Sequence, residues 1–296
     1  MSTTLILFYG IFLSQIFLIS VYFPMKIRSR ILYILNNFPP KDYPKLYPKP
    51  YDYSAEQGRK NGLNTYRFIN LFIAGVGLAI LGWGLVSGYD PDPLGGDEIF
   101  VMMYFVLQIS PILYLEIKGL KIHQRMRKAN IGSPRKAELN PRHLFDFISP
   151  VFVALAVLLY AGWMAHFIYN LGFDAPWRWE VYLTLAGITG MNLLFAGIAA
   201  KFMLGKKINP HQAYKDRLNN IETVVKTSVF ASIAASVFLI MTDLADTYAW
   251  ELYDPIMMSV YVQVILSLSL GIEIKKIKVE AIDFEVYKKD KPARPV

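Results

Sequence analysis

The chain has 296 residues, of which 54% are hydrophobic and only 18% are charged, whereas soluble domains have about 25% charged residues. This composition excludes an ordinary soluble protein and indicates a protein of the lipid bilayer. The chain contains no cysteine, which excludes disulfides, thiolate metal sites and cysteine nucleophiles, and the meaning of its net charge of +8 depends on how that charge is distributed.

Seven stretches of mostly apolar residues are each long enough to cross a hydrocarbon core of about 30 Å as an α-helix. The first stretch has no basic residues before it and no small-residue cleavage pattern after it, so we interpret it as a retained helix rather than a signal peptide. The sequence therefore predicts an all-α integral membrane protein. Its seven transmembrane helices are expected near residues 3–24, 66–88, 99–116, 149–172, 180–204, 227–250 and 255–273.

The basic residues are concentrated on one side of this predicted bundle. Of the 31 Lys and Arg residues, 30 lie in or beside connections on that side, and only Arg178 lies on the other. Because Lys and Arg accumulate in short cytoplasmic loops, we expect a plasma (inner) membrane protein with its N-terminus outside and its C-terminus in the cytoplasm. The expected partner of the basic side is a bilayer with anionic headgroups. Nucleic acid is not expected, because aromatic residues do not interleave with the basic ones.

Three signatures recur after the first helix. Leu-Asn precedes each helix that runs away from the basic side (Asn64, Asn140, Asn219), an aromatic-Asp pair lies in each outer turn (Asp90, Asp174, Asp254), and "LEIKGLKI" at 115–122 returns as "IEIKKIKV" at 272–279. A near-fixed period indicates structural repeats. We therefore expect an N-terminal helix (1–24), a Pro/Tyr-rich basic connection (25–62), three parallel-repeat hairpins (63–128, 129–207 and 208–279) and a cytoplasmic tail (280–296).

The Asn and Asp residues of these signatures are typical of helix N-termini, where their side chains accept hydrogen bonds from unpaired amides. The repeated carboxylates Glu116 and Glu273 do not fit this explanation, because each lies at the C-terminal end of a helix, where the helix dipole disfavours negative charge. An ion pair would compensate this cost. We expect Arg67 as the partner of Glu116 and Lys226 as the partner of Glu273; the alternative is a substrate or proton role for the two carboxylates.

Polar residues inside the predicted spans are candidates for a substrate or ion path, because such residues are costly in lipid. His166, Asp243 and Asp246 lie in the outer thirds of their helices, and the alternative for the two Asp residues is contact with outer headgroups. Gln108, Asn192 and Gln263 lie deeper, on helices that run towards the basic side. These three could line a path or join helices by hydrogen bonds.

No reaction motif is evident, and the His residues lack the spacing of metal ligands, so neither an enzymatic centre, a metal nor a cofactor is predicted. The Pro/Tyr-rich segment 36–53 is expected to be extended, either as a strap on the headgroups or as a strip that binds a protein partner. Two functions remain from the sequence. The first is a small-solute or ion transporter, and the second is a non-catalytic membrane assembly or scaffold protein.

Overall fold

A computed structural model describes residues 3–48, 53–89, 97–130, 142–174 and 176–289. The described residues contain helices and no strands, and seven helices are long and apolar enough to cross a membrane. The prediction of an all-α membrane protein with seven transmembrane helices is confirmed. These helices are α1 (Thr3–Asn37), α2 (Tyr53–Ser87), α3 (Asp97–Ala129), α4 (Pro150–Leu171), α5 (Trp179–Leu204), α6 (Tyr214–Tyr248) and α7 (Asp254–Lys276).

Four of the helices (α1, α2, α3 and α6) extend several turns beyond their apolar stretches on the basic side. The extension of α2 begins at Tyr53 and runs through residues that are mostly polar or charged before the first apolar turn. Hydrophobicity identifies only the part of a helix that crosses the hydrocarbon core, and these polar residues continue the helix into water. The predicted starts of α2 and α6 were therefore too late.

This extension explains why two predicted caps are wrong. Asn64 lies inside α2, where its Oδ1 accepts a hydrogen bond from Arg28 Nη2 at 2.8 Å, and Asn219 lies inside α6, which begins at Tyr214. The predicted cap Asp174 is also wrong, because Asp174 precedes α5, whose N-cap is Arg178. Asp254 is the first residue of α7, where the helix dipole favours a carboxylate. Asn140 and Asp90 lie outside the described residues.

Helices α1, α2, α3 and α7 form one packed unit, which we call the core bundle. Its largest apolar cluster joins Phe12 and Ile16 of α1, Ile73 of α2 and Tyr104 of α3. Gly77 permits this approach, because a Cβ atom built there would lie 2.2 Å from the Tyr104 hydroxyl. A second cluster joins α1 to α7 through Ile19, Phe23, Val262 and Leu266.

Helices α4 and α5 pack mainly on α6, and we call these three helices the lateral unit. Its apolar cluster lies at the basic end, where Ile148 and Ala199 contact Ile221 and Val225 of α6. Elsewhere α4 and α5 are exposed. Within the most apolar 18-residue window, 11% of α4 and 6% of α5 are buried, against 28% of α6. Helix α6 then joins the lateral unit to α7 of the core bundle.

The Pro/Tyr-rich connection packs against the chain's own C-terminal tail. The rings of Phe38 and Phe284 stack with centroids 3.8 Å apart, and Tyr43 joins a buried cluster with Val279 and Tyr287. We call residues 38–47 together with 277–288 the tail cap. Phe38, Tyr43 and Leu46 of the connection are therefore packed against the tail, an arrangement that neither the strap nor the partner strip had anticipated.

The tail cap also reaches the lateral unit. Asn209, in the connection between α5 and α6, donates a hydrogen bond to the Tyr287 hydroxyl at 2.7 Å, and the Asp283 amide donates to Asp216 of α6 at 3.1 Å. Burial of Tyr287 raises the pKa of its hydroxyl to about 12. The cap thus fastens both units together at their basic ends.

Candidate functional site

A network of buried amides and hydroxyls lies in the middle of the core bundle, centred on Gln15 of α1. Gln15 Nε2 donates to Gln108 Oε1 on α3 at 2.9 Å, and Ser259 of α7 donates to Gln15 Oε1 at 2.6 Å. Gln108 Nε2 donates in turn to Ser20 Oγ at 2.9 Å. The side chains of Gln15, Gln108 and Ser259 are fully buried.

Gln263 of α7 extends the same network by one helical turn. Its Oε1 accepts from Ser14 of α1 at 2.9 Å, and its Nε2 donates to the Ile11 carbonyl at 3.2 Å. Gln108 and Gln263 therefore belong to one hydrogen-bonded seam between α1, α3 and α7. In hydrocarbon, such bonds hold helices together, and this is the chemistry that the arrangement performs directly.

Asn192 of α5 lies elsewhere, in the lateral unit. Its Oδ1 accepts a short hydrogen bond from Ser232 of α6, and its Nδ2 donates to the Ile188 carbonyl at 3.1 Å. The structure therefore separates Asn192 from the two glutamines, with which the sequence had grouped it.

A second polar site lies between α4 and α6 towards their outer ends. His166 Nδ1 is 3.7 Å from Asp243 Oδ2, which has no hydrogen-bond partner among the described residues. Trp163, one turn before His166, is 1% exposed, and its indole N–H also lacks a partner in the described part of the chain. Asp246 is exposed one turn along α6. The structure thus joins His166 to Asp243, and a role of this pair in an ion path stays a prediction.

The repeated carboxylates lie near each other rather than beside the cations predicted for them. Glu273 is within electrostatic range of Glu116 and of Arg30. No ion pair within 4 Å is formed by Glu116 or Glu273 with any described residue. The structure corrects the predicted partner of Glu273, because Lys226 pairs instead with Glu222 of its own helix at 2.7 Å.

Glu222 is the carboxylate that the sequence missed. It pairs with Lys226 and also with Lys276 at the end of α7, so one side chain connects the two units. Its signal was the i, i+4 spacing to Lys226, which favours a pair on one helix face.

Arg67 lines a recess between α1 and α2 instead of contacting Glu116. This recess of about 10 Å³ is also lined by Ser20, Pro24, Arg28 and Asn70. A second, open depression of about 360 Å³ lies among apolar side chains of α3 and Met258 of α7. Neither of these two recesses is lined by Gln108, Gln263 or Asn192.

Gln15, Ser20 and Ser259 were not predicted, because α1, which carries the first two and bonds the third, was expected to lie outside the hairpins. A signal was available, since Ser14, Gln15 and Ser20 are the polar positions of an otherwise apolar stretch. Such residues in a span are expected to face a partner helix.

Within the described residues, no group of three or more His, Asp or Glu side chains could hold a metal ion. The chain matches no known family model, no curated protein and no solved structure. Its function is therefore argued from its own geometry.

Proposed function

We propose that this polytopic membrane protein is a non-catalytic assembly protein that associates with a second copy of itself through the exposed face of α5. The observation that carries this proposal is the low burial of α5. Within its most apolar 18-residue window, only 6% of the residues are buried against the rest of the chain. The helices of the core bundle pack against each other, whereas most of the surface of α5 is exposed and would contact the bilayer.

The exposed face of α5 has the composition that helix association in lipid uses. Ala186 and Gly190 lie on one side of the exposed Leu193, and Gly197 and Ala200 lie on its other side along the same helix face. A Cβ atom built at either glycine meets no atom within 4 Å. Small residues let two helix backbones approach closely in a membrane. A second copy suits this face, because a two-fold axis places the same stripe on both partners.

The polar residues at mid-depth support assembly better than transport. Gln108 and Gln263 are satisfied by Ser14, Gln15, Ser20 and the Ile11 carbonyl, and Asn192 is satisfied by Ser232. A substrate path needs polar groups that converge on an open cavity. These amides instead lie along two separate helix seams.

The distribution of charge supports a place in the plasma membrane, with the N-terminus outside and the basic side in the cytoplasm. Lys and Arg favour the cytoplasmic side of a membrane, and by sequence 30 of the 31 are in or beside connections assigned to one side of the predicted bundle.

The test of assembly is the stoichiometry of the labelled protein in liposomes, measured by single-molecule photobleaching while the protein-to-lipid ratio is reduced. We expect dimers, and we expect Gly190→Leu with Gly197→Leu to weaken dimerisation by about tenfold or more, because leucine separates the helix backbones. The matched control is Gly75→Leu with Gly82→Leu, which changes two exposed glycines of α2 at the same spacing. Monomers at every protein density, or equal effects of the two double variants, would refute the proposal.

A proton-coupled transporter is the second candidate, and one observation favours it. His166 and Asp243 face each other at 3.7 Å beside the buried indole of Trp163, and a His-Asp pair can pass protons inside a membrane. Proton uptake into proteoliposomes distinguishes the two functions. If the protein is monomeric and takes up protons, and Asp243→Asn abolishes that uptake, then the protein is a transporter and the assembly proposal is wrong.

A further inference from the structure

The recess between α1 and α2 lies at the depth where lipid headgroups begin. Ser20 and Asn70 are each about one helical turn inside the apolar stretch, whereas Arg28 and Arg67 are at or beyond its basic end. The recess therefore spans the boundary between hydrocarbon and headgroups on the basic side. Lipid phosphates occupy this level in a bilayer.

Two arginines border the recess without a carboxylate to neutralise them. Arg28 Nη2 is held by Asn64 Oδ1 at 2.8 Å, and its buried Nε has no hydrogen-bond partner among the described residues. Arg67 is exposed and forms no ion pair within the described part of the chain. Guanidinium groups bind phosphate oxygens through geometrically matched N–H pairs.

The floor of the recess offers hydrogen-bond acceptors. Asn70 is 1% exposed, and its Nδ2 donates to the Tyr66 carbonyl while its buried Oδ1 accepts from no described residue. Pro24 also borders the recess, and because proline has no N–H it cannot donate a hydrogen bond there. This place follows directly on a π-helical segment, Ile16–Tyr22, and such segments occur often at functional sites.

The size and polarity of the recess select the group that enters it. The volume of about 10 Å³ admits one water-sized group. A hydroxyl can accept from Arg28 Nε and donate to Asn70 Oδ1, whereas an ammonium group can only donate and would be repelled by the two guanidinium groups. A quaternary amine can neither donate a hydrogen bond nor fit.

We propose that this recess binds a phospholipid whose headgroup carries a free hydroxyl, with the phosphate between Arg28 and Arg67. The headgroup folds back towards the hydrocarbon, so that its hydroxyl reaches Asn70 about one helical turn deeper. Phosphatidylglycerol is the simplest lipid of this class. The assignment is independent of self-association through α5, because the recess lies in the core bundle.

Native mass spectrometry of the protein taken from mixed-lipid nanodiscs tests the assignment. Phosphatidylglycerol should be retained in preference to phosphatidylethanolamine and phosphatidylcholine, and Arg67→Gln should reduce this preference by about tenfold, the usual weight of a charged hydrogen bond. Lys121→Gln is the control, because Lys121 is an exposed cation on the same side whose removal changes the net charge equally. The two variants should unfold at the same temperature.

A second variant tests the hydroxyl separately from the phosphate. Asn70→Ala should bring retention of phosphatidylglycerol close to that of phosphatidic acid, which has the phosphate without the glycerol hydroxyls. Equal retention of phosphatidylglycerol and phosphatidylcholine by the unmodified protein, or an unchanged preference in folded Arg67→Gln, would overturn the proposal.

Inorganic phosphate added to phosphatidylcholine nanodiscs separates a lipid site from a site for free anions. Equal thermal stabilisation by phosphate and by phosphatidylglycerol would mean that the lipid assignment is wrong.

Discussion

The core bundle and the lateral unit are built from helices of similar hydropathy, yet they use their polar residues differently. In the core bundle, Gln15 connects three helices through buried hydrogen bonds. In the lateral unit, the Asn192–Ser232 and Tyr160–Thr189 bonds each join two helices, and α4 and α5 remain mostly exposed. Because lipid is as apolar as leucine, contact between apolar helices gains little by itself, and polar and small residues decide which helices stay together.

The largest expected effect comes from removing the centre of the core network. Gln15→Leu takes away the hydrogen bonds to Gln108 and Ser259, and bonds of this kind in membranes are each worth about 0.6–1.7 kcal/mol. We therefore expect the free energy of unfolding to fall by about 2 kcal/mol, as measured by steric trapping in bicelles.

Hydrogen exchange then shows where that loss is felt. Gln15→Leu should raise exchange in α1, α3 and α7, whereas the matched variant Asn192→Leu should lower stability by about 1 kcal/mol and raise exchange in α5 and α6. An equal rise in both units after Gln15→Leu would show that they are not separate in energy.

A smaller effect is expected at the junction of the two units. Glu222→Gln removes the ion pairs with Lys226 and Lys276, and since these side chains are about one-third exposed, the loss should be about 1 kcal/mol. Because the chain has no natural cysteine, one cysteine introduced into α2 and one into α5 are the only sites that take a spin label. The measurement is the distance between these two labels.

The distribution of distances between the two labels should become broader in Glu222→Gln, because α6 is held less firmly against α7. Glu280→Gln is the control, as it removes an exposed carboxylate of the tail. Equal distance distributions in the two variants would show that Glu222 does not hold the units together.

The smallest effect near neutral pH is expected at the tail cap. Burial raises the pKa of Tyr287 from 10.0 to about 12, so the folded cap binds the phenolic proton more tightly than the open tail does. The contribution of Tyr287 to the stability of the tail cap is complete below pH 10 and is lost as pH rises from 10 towards 12. In that range, the equilibrium constant for docking of the tail falls by about tenfold per pH unit.

Proteolysis of the tail between pH 8 and pH 11 measures this loss. Cleavage should accelerate above pH 10 in the unmodified protein. In Tyr287→Phe, which lacks the Asn209 hydrogen bond at every pH, that acceleration should be absent. The same steep rise in Tyr287→Phe would assign the effect to other groups.

The sequence predicted the spans well because the cost of placing polar groups in lipid leaves long apolar stretches. It also predicted that Gln108 and Gln263 occupy positions inside the membrane that need explanation. It did not predict the helix extensions, since polar helix formers such as those before Tyr66 carry no hydrophobic signal. The three-hairpin repeat stays a prediction.

The partners of charged residues were harder to predict than the positions of the helices. The sequence contains two candidate partners for Lys226, Glu222 on its own helix and Glu273 on α7, and helix spacing alone does not rank them. In the structure Lys226 pairs with Glu222, and packing brings Lys276 to Glu222 as well. The tail cap depends on contacts between Phe38 and Phe284, which lie far apart in the chain and have no shared sequence signature.

The hydrogen bond between Gln15 and Ser259 joins residues 244 positions apart. At a synthesis rate of about 5–20 residues per second, Ser259 leaves the ribosome about 12–50 s after Gln15. During that time α1 presents an amide oxygen to lipid, or to whatever helix shelters it. Helix α1 is thus inserted before α7 but completes its hydrogen bonds only after α7 is made, and a chaperone or insertase that holds α1 would act in this interval.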